Sequence, residues 1–185
     1  MPSRLITLFS LPCLAASLLV SVAGPAAAEE PIEAADRVHG GMYIEEWDTS
    51  TQLDGMAVWV GKRVSFLGTF HDVNEDDLLP PGPYSNTITK LEEAWQAKAT
   101  PFANLAINAG AASIAAGHHD QDIRAWALKV QRWLAKGGER SLIIAPLQEM
   151  NGDWVPYGMD PGGFKSAYHR IRGIVREVVV DDTQV

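Results

Sequence analysis

The sequence predicts an α/β fold, and three observations support this. Short apolar stretches rich in β-prone residues alternate with longer segments of helical periodicity. The order of strand then helix occurs four times, which is typical of parallel sheets with right-handed crossovers. The apolar stretches contain few polar residues, as expected for strands buried on both faces. Two architectures fit these observations: an open doubly wound sheet, and the first half of an eight-stranded barrel.

Four strands are predicted from the nearly continuous apolar stretches at residues 41–44, 64–70, 102–108 and 141–147. No glycine-rich turn follows the first strand, so the dinucleotide-binding version of the doubly wound sheet is disfavoured. A complete barrel takes about 250 residues, more than this sequence contains. The residues alone therefore leave the architecture open.

Four helices are predicted, at residues 51–61, 86–97 and 120–136 and in a segment that begins after Gly163. The third is the clearest, with Asp120 as its predicted N-cap and Gly137-Gly138 at its end. Its apolar residues recur at helical spacing: Ile123, Trp126, Ala127, Val130, Trp133 and Leu134. The Gly/Ala-rich stretch before it is predicted to be a loop.

Residues 1–28 are predicted to be a secretory signal peptide, cleaved after Ala28. Arg4 supplies the positive start, residues 5–22 are largely apolar, and small residues precede the acidic Glu29. The alternative is a membrane anchor, which Pro12 within the apolar stretch disfavours. We therefore expect one domain at residues 29–185, secreted or periplasmic, with no membrane attachment after cleavage.

The amino-acid composition disfavours several classes of function and of binding site. The net charge of −8, without basic clusters, argues against binding to nucleic acid or anionic lipid and is compatible with a neutral polysaccharide. The single cysteine, Cys13, lies in the predicted signal peptide, so neither a disulfide framework nor a thiolate metal site is expected. Of the six tryptophans, half or more are expected in the core. Neither a phosphate-binding loop nor a nucleophile elbow is present in the sequence, and we expect no cofactor.

The segment Pro146 to Gly158, PLQEMNGDWVPYG, concentrates polar and aromatic residues where the fourth strand ends. Barrels place catalytic groups at this end of their strands. Glu149 could protonate a glycosidic oxygen if burial or a second carboxylate raised its pKa. Hydrogen bonds to sugar hydroxyls could come from Gln148 and Asn151, and aromatic ring faces from Trp154 and Tyr157. The alternative is a structural turn with a capping acid and two anchoring aromatics.

This segment resembles the acid/base motif of glycoside hydrolase family 26, best known for endo-β-1,4-mannanases. Gln148 departs from the motif, because the family usually has histidine there. The resemblance covers roughly residues 38–177, including a looser match of the first strand and of the third helix. The residues that match the motif are Glu149, Met150, Asn151, Gly152, Trp154, Pro156, Tyr157 and Gly158.

The resemblance implies a (β/α)8 TIM barrel, of which this chain would hold about the first four units, and hydrolysis with retention of configuration. It assigns Glu149 as general acid/base, and Trp154 and Tyr157 as residues that contact the sugar. The implied substrate is mannan or another β-glycan, and no particular protein partner is implied. The family nucleophile, a glutamate at the seventh strand, maps onto no residue here. We therefore expect residues 29–185 to be an incomplete catalytic domain that is unstable and inactive alone. The alternative is a non-catalytic carbohydrate-binding relative.

Other polar residues follow the predicted strands. His71 and Asp72 end the second strand, so His71 is a candidate for hydrogen bonding to substrate, with an exposed turn as the alternative. No metal site is expected at His118-His119-Asp120, since adjacent histidines lack a chelating spacing. Residues 45–48 could line the same face, although a solvated loop is the simpler interpretation.

Overall fold

The structure, a computed structural model, describes residues 39–44, 49–74 and 87–179. The predicted signal peptide and residues 45–48 lie outside the described residues. No helix in the described ranges is long and apolar enough to cross a membrane.

Among the described residues, four parallel strands form one sheet in the order β1-β2-β3-β4. Their bounds are Gly41–Tyr43 for β1, Phe66–Asp72 for β2, Thr100–Ala106 for β3 and Ile143–Pro146 for β4. All four predicted strands are present, although β2 and β3 are displaced by about two residues from the predicted ranges. The prediction of an α/β fold is confirmed.

In the described ranges, five helices accompany the sheet: α1 (Thr49–Val60), α2 (Thr87–Gln96), α3 (Ala111–Ala115), α4 (Asp120–Leu134) and α5 (Pro161–Val178). The prediction of a loop at α3 was wrong, because this alanine-rich helix is too short to show periodicity. Helix α5 begins at Pro161, before the predicted start. Asp160 caps it by accepting a 2.9 Å hydrogen bond from the backbone N–H of Gly163.

The two faces of the sheet differ in burial. Side chains alternate along a strand, and the buried set of β2 and β3 includes Leu67, His71, Ala103 and Leu105. These residues face the helices. The opposite face is half-buried or exposed: Tyr43 is 53% exposed and Phe70 40%, and their rings meet edge to face at 4.9 Å. Within the described residues, the helix layer therefore covers one face of the sheet.

The strand order explains this one-sided cover. Right-handed crossovers between consecutive neighbouring strands place every helix on the same side, whereas a doubly wound sheet reverses its strand order to cover both faces. The four described strands show no reversal. This arrangement is compatible with part of a barrel.

A partly buried polar cluster joins α2 to α4. Trp133 is fully buried and donates its indole N–H to Glu92 Oε2 at 3.0 Å. Lys136 and Arg140 form ion pairs with the same carboxylate at 3.1 and 3.0 Å. The Arg140 guanidinium also lies 5.6 Å from the ring centroids of Trp95 and Trp133. Burial raises the pKa of Glu92, but the hydrogen bonds and charges of Lys136 and Arg140 outweigh it and lower the pKa.

Arg170 ties α5 to the start of α4. Its guanidinium donates to both oxygens of Asp120, at 2.6 and 2.7 Å, and to the backbone oxygen of Ala115 at 3.2 Å. The hydrogen bond from Arg170 lowers the pKa of Asp120. The predicted role of Asp120 as N-cap was wrong, because His119 occupies that position and makes no side-chain capping bond. Asp120 instead holds a residue 50 positions away.

Candidate functional site

The connection between β4 and α5 begins with an unusual backbone. Leu147 continues the sheet, since its N–H donates to Leu105 O at 2.8 Å. Its φ of 59° and that of Glu149, 60°, both lie in the left-handed region. Such conformations cost roughly 1–3 kcal/mol each outside glycine and cluster at functional sites. Leu147 is buried whereas Glu149 is exposed, so this strained turn directs the carboxylate to solvent.

The rest of the connection is closed by backbone hydrogen bonds. Gly152 N–H donates to Glu149 O at 2.8 Å, and Met159 N–H donates to Met150 O at 2.9 Å. A Cβ on Gly158 would lie 1.9 Å from the backbone oxygen of Gly152, which leaves room only for glycine there. A Cβ on Gly152 would lie 2.4 Å from the Trp154 ring, so Gly152 allows that ring to lie against the backbone. The two glycines explain why the segment can hold Trp154 beside Glu149.

Glu149 and Trp154 form the central contact of the site. The indole N–H of Trp154 donates to Glu149 Oε2 at 2.6 Å. Trp154 is 68% exposed, and both Glu149 and Asn151 are also exposed. The structure therefore brings together three of the predicted site residues on an accessible surface. The single hydrogen bond fixes the direction of the carboxylate while leaving it open to a ligand.

Tyr157 is buried in this structure, and its predicted contact with a sugar stays a prediction. It is only 1% exposed, and its hydroxyl is buried with no hydrogen-bond partner among the described residues. Burial raises the pKa of Tyr157, and the negative charges of Glu149 and Asp72 raise it further. Tyr157 thus lies beneath the site, within the electrostatic influence of both carboxylates. The sequence of this short segment contains no pattern that shows which of its two aromatic residues, Trp154 or Tyr157, is buried.

Gln148 is half-buried, and its Oε1 is buried without a hydrogen-bond partner in the described part of the chain. In the present geometry this oxygen neither orients the Glu149 carboxylate nor faces open solvent. The predicted role of Gln148 in contacting substrate stays a prediction.

His71 is buried on the side of the sheet that faces the helices, and its predicted contact with substrate stays a prediction. It is 3% exposed, lies 2.8 Å from Thr69 Oγ1 through Nε2, and packs edge to face on Trp126 with centroids 6.1 Å apart. The next residue, Asp72, alternates to the opposite side and is half-buried, with one oxygen accepting from Asn74 N–H at 2.9 Å. Asp72 therefore lies on the opposite side of β2 from His71, where its charge acts on Tyr157. The alternation of buried residues in β2 is the signal that distinguishes the two.

The histidines before α4 make local contacts. Ser113 Oγ lies 3.3 Å from His118 Nδ1 and 3.1 Å from His119 Nε2, and His119 Nδ1 is 3.9 Å from Asp122. Across the described ranges, no three histidine, cysteine or acidic residues are placed to hold a metal ion together.

The arrangement around Glu149 suits proton transfer to a bound molecule. An exposed carboxyl group can donate a proton to a leaving oxygen and later accept one from water. The neighbouring indole offers an apolar face of the kind that packs on the hydrogen-bearing side of a sugar ring. No protein-family model matches the chain, and no curated protein matches it significantly.

Proposed function

We propose that this chain carries the acid/base side of a retaining glycoside hydrolase site that acts on a β-linked polysaccharide such as mannan. The observation that carries the proposal is the exposed Glu149 carboxylate held by the exposed Trp154 indole where β4 ends. The resemblance of the segment to the family 26 motif supports it. The site has no need of a cofactor or metal in this chemistry.

The proposed reaction divides into two proton transfers at Glu149. The carboxylic acid first protonates the glycosidic oxygen as the bond to the leaving sugar breaks, and the carboxylate then takes a proton from the attacking water. Trp154 positions the carboxylate through its N–H and contacts the sugar through its ring. A retaining enzyme needs a second carboxylate about 5–5.5 Å from the first, as nucleophile. We assign no residue of this chain to that role.

The proposed scaffold is a (β/α)8 TIM barrel, of which the described residues form about four units. The sequential order of parallel strands and the one-sided helix layer support it. In such a barrel Glu149 would lie at the catalytic end, because it directly follows a strand. The predicted signal peptide at residues 1–28 supports export to a secreted or periplasmic location, where polysaccharides are accessible.

Sugar binding tests the proposal directly. Titration of the purified chain with mannohexaose, followed by isothermal calorimetry, should give saturable binding that Trp154→Ala weakens by about ten-fold, or about 1.4 kcal/mol. Trp59→Ala is the matched control, since Trp59 is also exposed, at 80%, but lies on α1. Equal effects of the two substitutions, or no binding by the unsubstituted chain, would contradict the site.

The acid role of Glu149 needs a catalytic assay. The 185-residue chain should not hydrolyse mannan, because it provides no assigned nucleophile. In a protein that contains the nucleophile, Glu149→Gln should abolish hydrolysis of mannan but largely spare the first step on activated aryl glycosides, whose leaving groups need no proton. A uniform loss on both substrates would argue against the acid role.

A second candidate function is carbohydrate binding without catalysis. It is favoured by one observation: within the described residues, the Glu149 side chain is held by the exposed Trp154, and no residue there is assigned as nucleophile. Saturable mannohexaose binding by a protein that never hydrolyses it, even with a complete barrel, would establish this alternative.

A further inference from the structure

We propose that this chain has a further catalytic site, which hydrolyses short-chain carboxylic esters through an acyl-serine intermediate. Ser113 is the nucleophile, His119 is the general base, and Asp122 is the residue that positions the base. The three residues belong to α3 and to the start of α4, so they share no member with the candidate site around Glu149. The proposal does not rest on the proposed glycoside hydrolase function.

The three side chains are arranged in the order that a serine nucleophile needs. Ser113 Oγ lies 3.1 Å from His119 Nε2, and His119 Nδ1 lies 3.9 Å from Asp122 Oδ2. The hydroxyl therefore meets one ring nitrogen while the carboxylate faces the other, as in the Ser-His-Asp arrangement of serine hydrolases. Such sites are recognised by the geometry and roles of their groups, so Ser113 does not need the nucleophile elbow that the sequence lacks.

The neighbouring groups indicate where the protons lie. A carboxylate only accepts hydrogen bonds, so Asp122 favours the tautomer of His119 that carries its proton on Nδ1. The other ring nitrogen, Nε2, is then free to accept the hydroxyl proton of Ser113. His119 is the N-cap residue of α4 but makes no side-chain capping bond, so its ring is available for this contact. A second imidazole, that of His118, approaches the same hydroxyl, with Nδ1 3.3 Å from Oγ.

The backbone around these residues is held from two sides by one guanidinium. Arg170 donates to Ala115 O at 3.2 Å and to both carboxylate oxygens of Asp120, and it thereby links the end of α3 to the start of α4. Gly117 lies between these two points with a φ of 91°, and a Cβ at this position would collide with the Arg170 guanidinium. The loop that carries the two histidines is therefore fixed against α3, which is the preorganisation that a catalytic group needs.

The proposed reaction has two steps. In the first, Ser113 Oγ attacks the ester carbonyl carbon and its proton moves to His119 Nε2. The bond to the alcohol then breaks, the alcohol leaves with that proton, and the acyl group stays on Ser113. In the second step, a water molecule gives a proton to His119 and attacks the acyl carbon, and the carboxylic acid is released as Ser113 Oγ takes the proton back. His118 Nδ1 donates a hydrogen bond to the carbonyl oxygen while that oxygen is negatively charged.

The surroundings of Ser113 favour a small acyl group. Ser113 is half-buried and the side chain of His119 is 26% exposed, so an ester can reach both from solvent. The residues beside them in the chain are small, since Ala112 and Ala116 are exposed alanines and Gly117 has no side chain. Small neighbours admit an ester but offer little apolar surface to a long acyl chain, and the free energy of burial grows with that surface. We therefore expect acetyl esters to react faster than octanoyl esters.

A fluorophosphonate probe tests the nucleophile. Ser113 Oγ should attack the phosphorus, displace fluoride and pass its proton to His119, so that the serine stays covalently phosphonylated. Mass spectrometry of the folded chain should show one added probe, peptide mapping should place it on Ser113, and Ser113→Ala should not react. Ser166→Ala is the matched control, because Ser166 is an exposed serine on α5 whose hydroxyl donates to Gly162 O at 3.2 Å. This control should be labelled like the unsubstituted chain.

Substitution of the partner residues tests the general base. His119→Gln should slow labelling by roughly 10²-fold or more, as expected for the loss of a general base. His169→Gln is its matched control, since His169 is an exposed histidine on α5, and it should leave the rate unchanged. Asp122→Asn should slow labelling to a smaller extent, because Asp122 acts only through His119, and Asp122→Glu should recover most of the rate.

Hydrolysis of p-nitrophenyl acetate measures turnover. Ser113→Ala keeps both histidines, so it measures the ester cleavage that exposed imidazoles cause without the serine. The unsubstituted chain should exceed this rate by about ten-fold or more, and it should hydrolyse p-nitrophenyl octanoate more slowly than the acetate.

Circular dichroism checks that each variant is folded, and peptide mapping of the unsubstituted chain needs no variant. Absence of labelling, labelling at a residue other than Ser113, or equal labelling rates in folded His119→Gln and the unsubstituted chain overturns the proposal. Equal hydrolysis of the acetate by Ser113→Ala and the unsubstituted chain also overturns it.

Discussion

The molecule contains the same contact in two different settings: a tryptophan indole N–H that donates to a glutamate carboxylate. Between α2 and α4, Trp133 donates to Glu92 at 3.0 Å, and after β4, Trp154 donates to Glu149 at 2.6 Å. Trp133 is fully buried, whereas Trp154 is 68% exposed. Glu92 has two cations beside it, Lys136 and Arg140, while Glu149 sits on a left-handed backbone turn.

The difference shows how surroundings decide the role of a contact. Among the described residues, Glu92 has three partners from the protein itself, Trp133, Lys136 and Arg140, so its carboxylate helps to hold two helices together. At Glu149, the contact sits on strained backbone and leaves the carboxylate and the indole open to solvent. We interpret the first contact as structural. We interpret the second as a candidate binding site, whose strained backbone lowers the stability of the fold. Three sets of substitutions can break or sharpen this comparison.

The largest effect is expected from removing each indole. Trp133→Ala should lower the free energy of unfolding by about 3–5 kcal/mol, because it leaves a large cavity in the core. Trp154→Ala should change it by no more than about 0.5 kcal/mol, since the ring is mostly in solvent. Urea unfolding at one fixed chain concentration measures both. Similar losses in the two variants would mean that Trp154 is part of the packed structure.

A smaller effect is expected from neutralising each carboxylate. Glu92→Gln should lower the free energy of unfolding at pH 7 by about 2 kcal/mol, because hydrogen bonds to charged groups are lost in a partly buried cluster. Glu149→Gln should leave stability nearly unchanged. The same urea titrations measure both.

The contribution of Glu92 to the free energy of unfolding should depend on pH in a definite direction. The pKa of Glu92 is lowered in the folded protein, so its stabilising contribution is present above the ordinary value of 4.5 and is lost as pH falls through the folded pKa. The difference between the unsubstituted chain and Glu92→Gln should therefore shrink on acidification below 4.5. A difference that stays constant down to pH 3 would contradict the role of the charged cluster.

The smallest effect is expected from relieving backbone strain. Glu149→Gly should raise the free energy of unfolding by about 0.5–1 kcal/mol, because glycine adopts a φ of 60° without steric penalty. Glu139→Gly is the matched control, since Glu139 is exposed and has a φ of 59° outside the site. Both should be stabilised to a similar degree in thermal unfolding. Destabilisation by Glu149→Gly alone would mean that the Glu149 side chain supports the fold.

Much of the fold could be predicted because it follows from local periodicity. The apolar stretches identified all four strands, and the spacing of Ile123, Trp126 and Val130 identified α4 almost to its ends. Helix α3 could not be predicted in this way, because five residues do not complete two turns. The ion pair of Asp120 with Arg170 could not be predicted either, since Arg170 lies 50 residues further along the chain.

The candidate site also has some features that follow from the local sequence and others that depend on contacts between distant residues. The position of Glu149 after β4 and its closeness to Trp154 follow from a short segment with suitable residue types. The burial of Tyr157, three positions further, depends on how the connection folds back onto the sheet. The choice between His71 and Asp72 depends on which side of β2 the helices cover.

By itself, the sequence determined the four described strands and their order along the chain, the main helices and the segment that holds the candidate carboxylate. These are properties of neighbouring residues, because hydrophobic periodicity and turn residues act over a few positions. Only the tertiary structure decided which side chains of that segment face solvent, which polar residues are committed to internal partners, and which face of the sheet the described helices cover. Those outcomes depend on contacts between distant parts of the chain, which packing alone brings together.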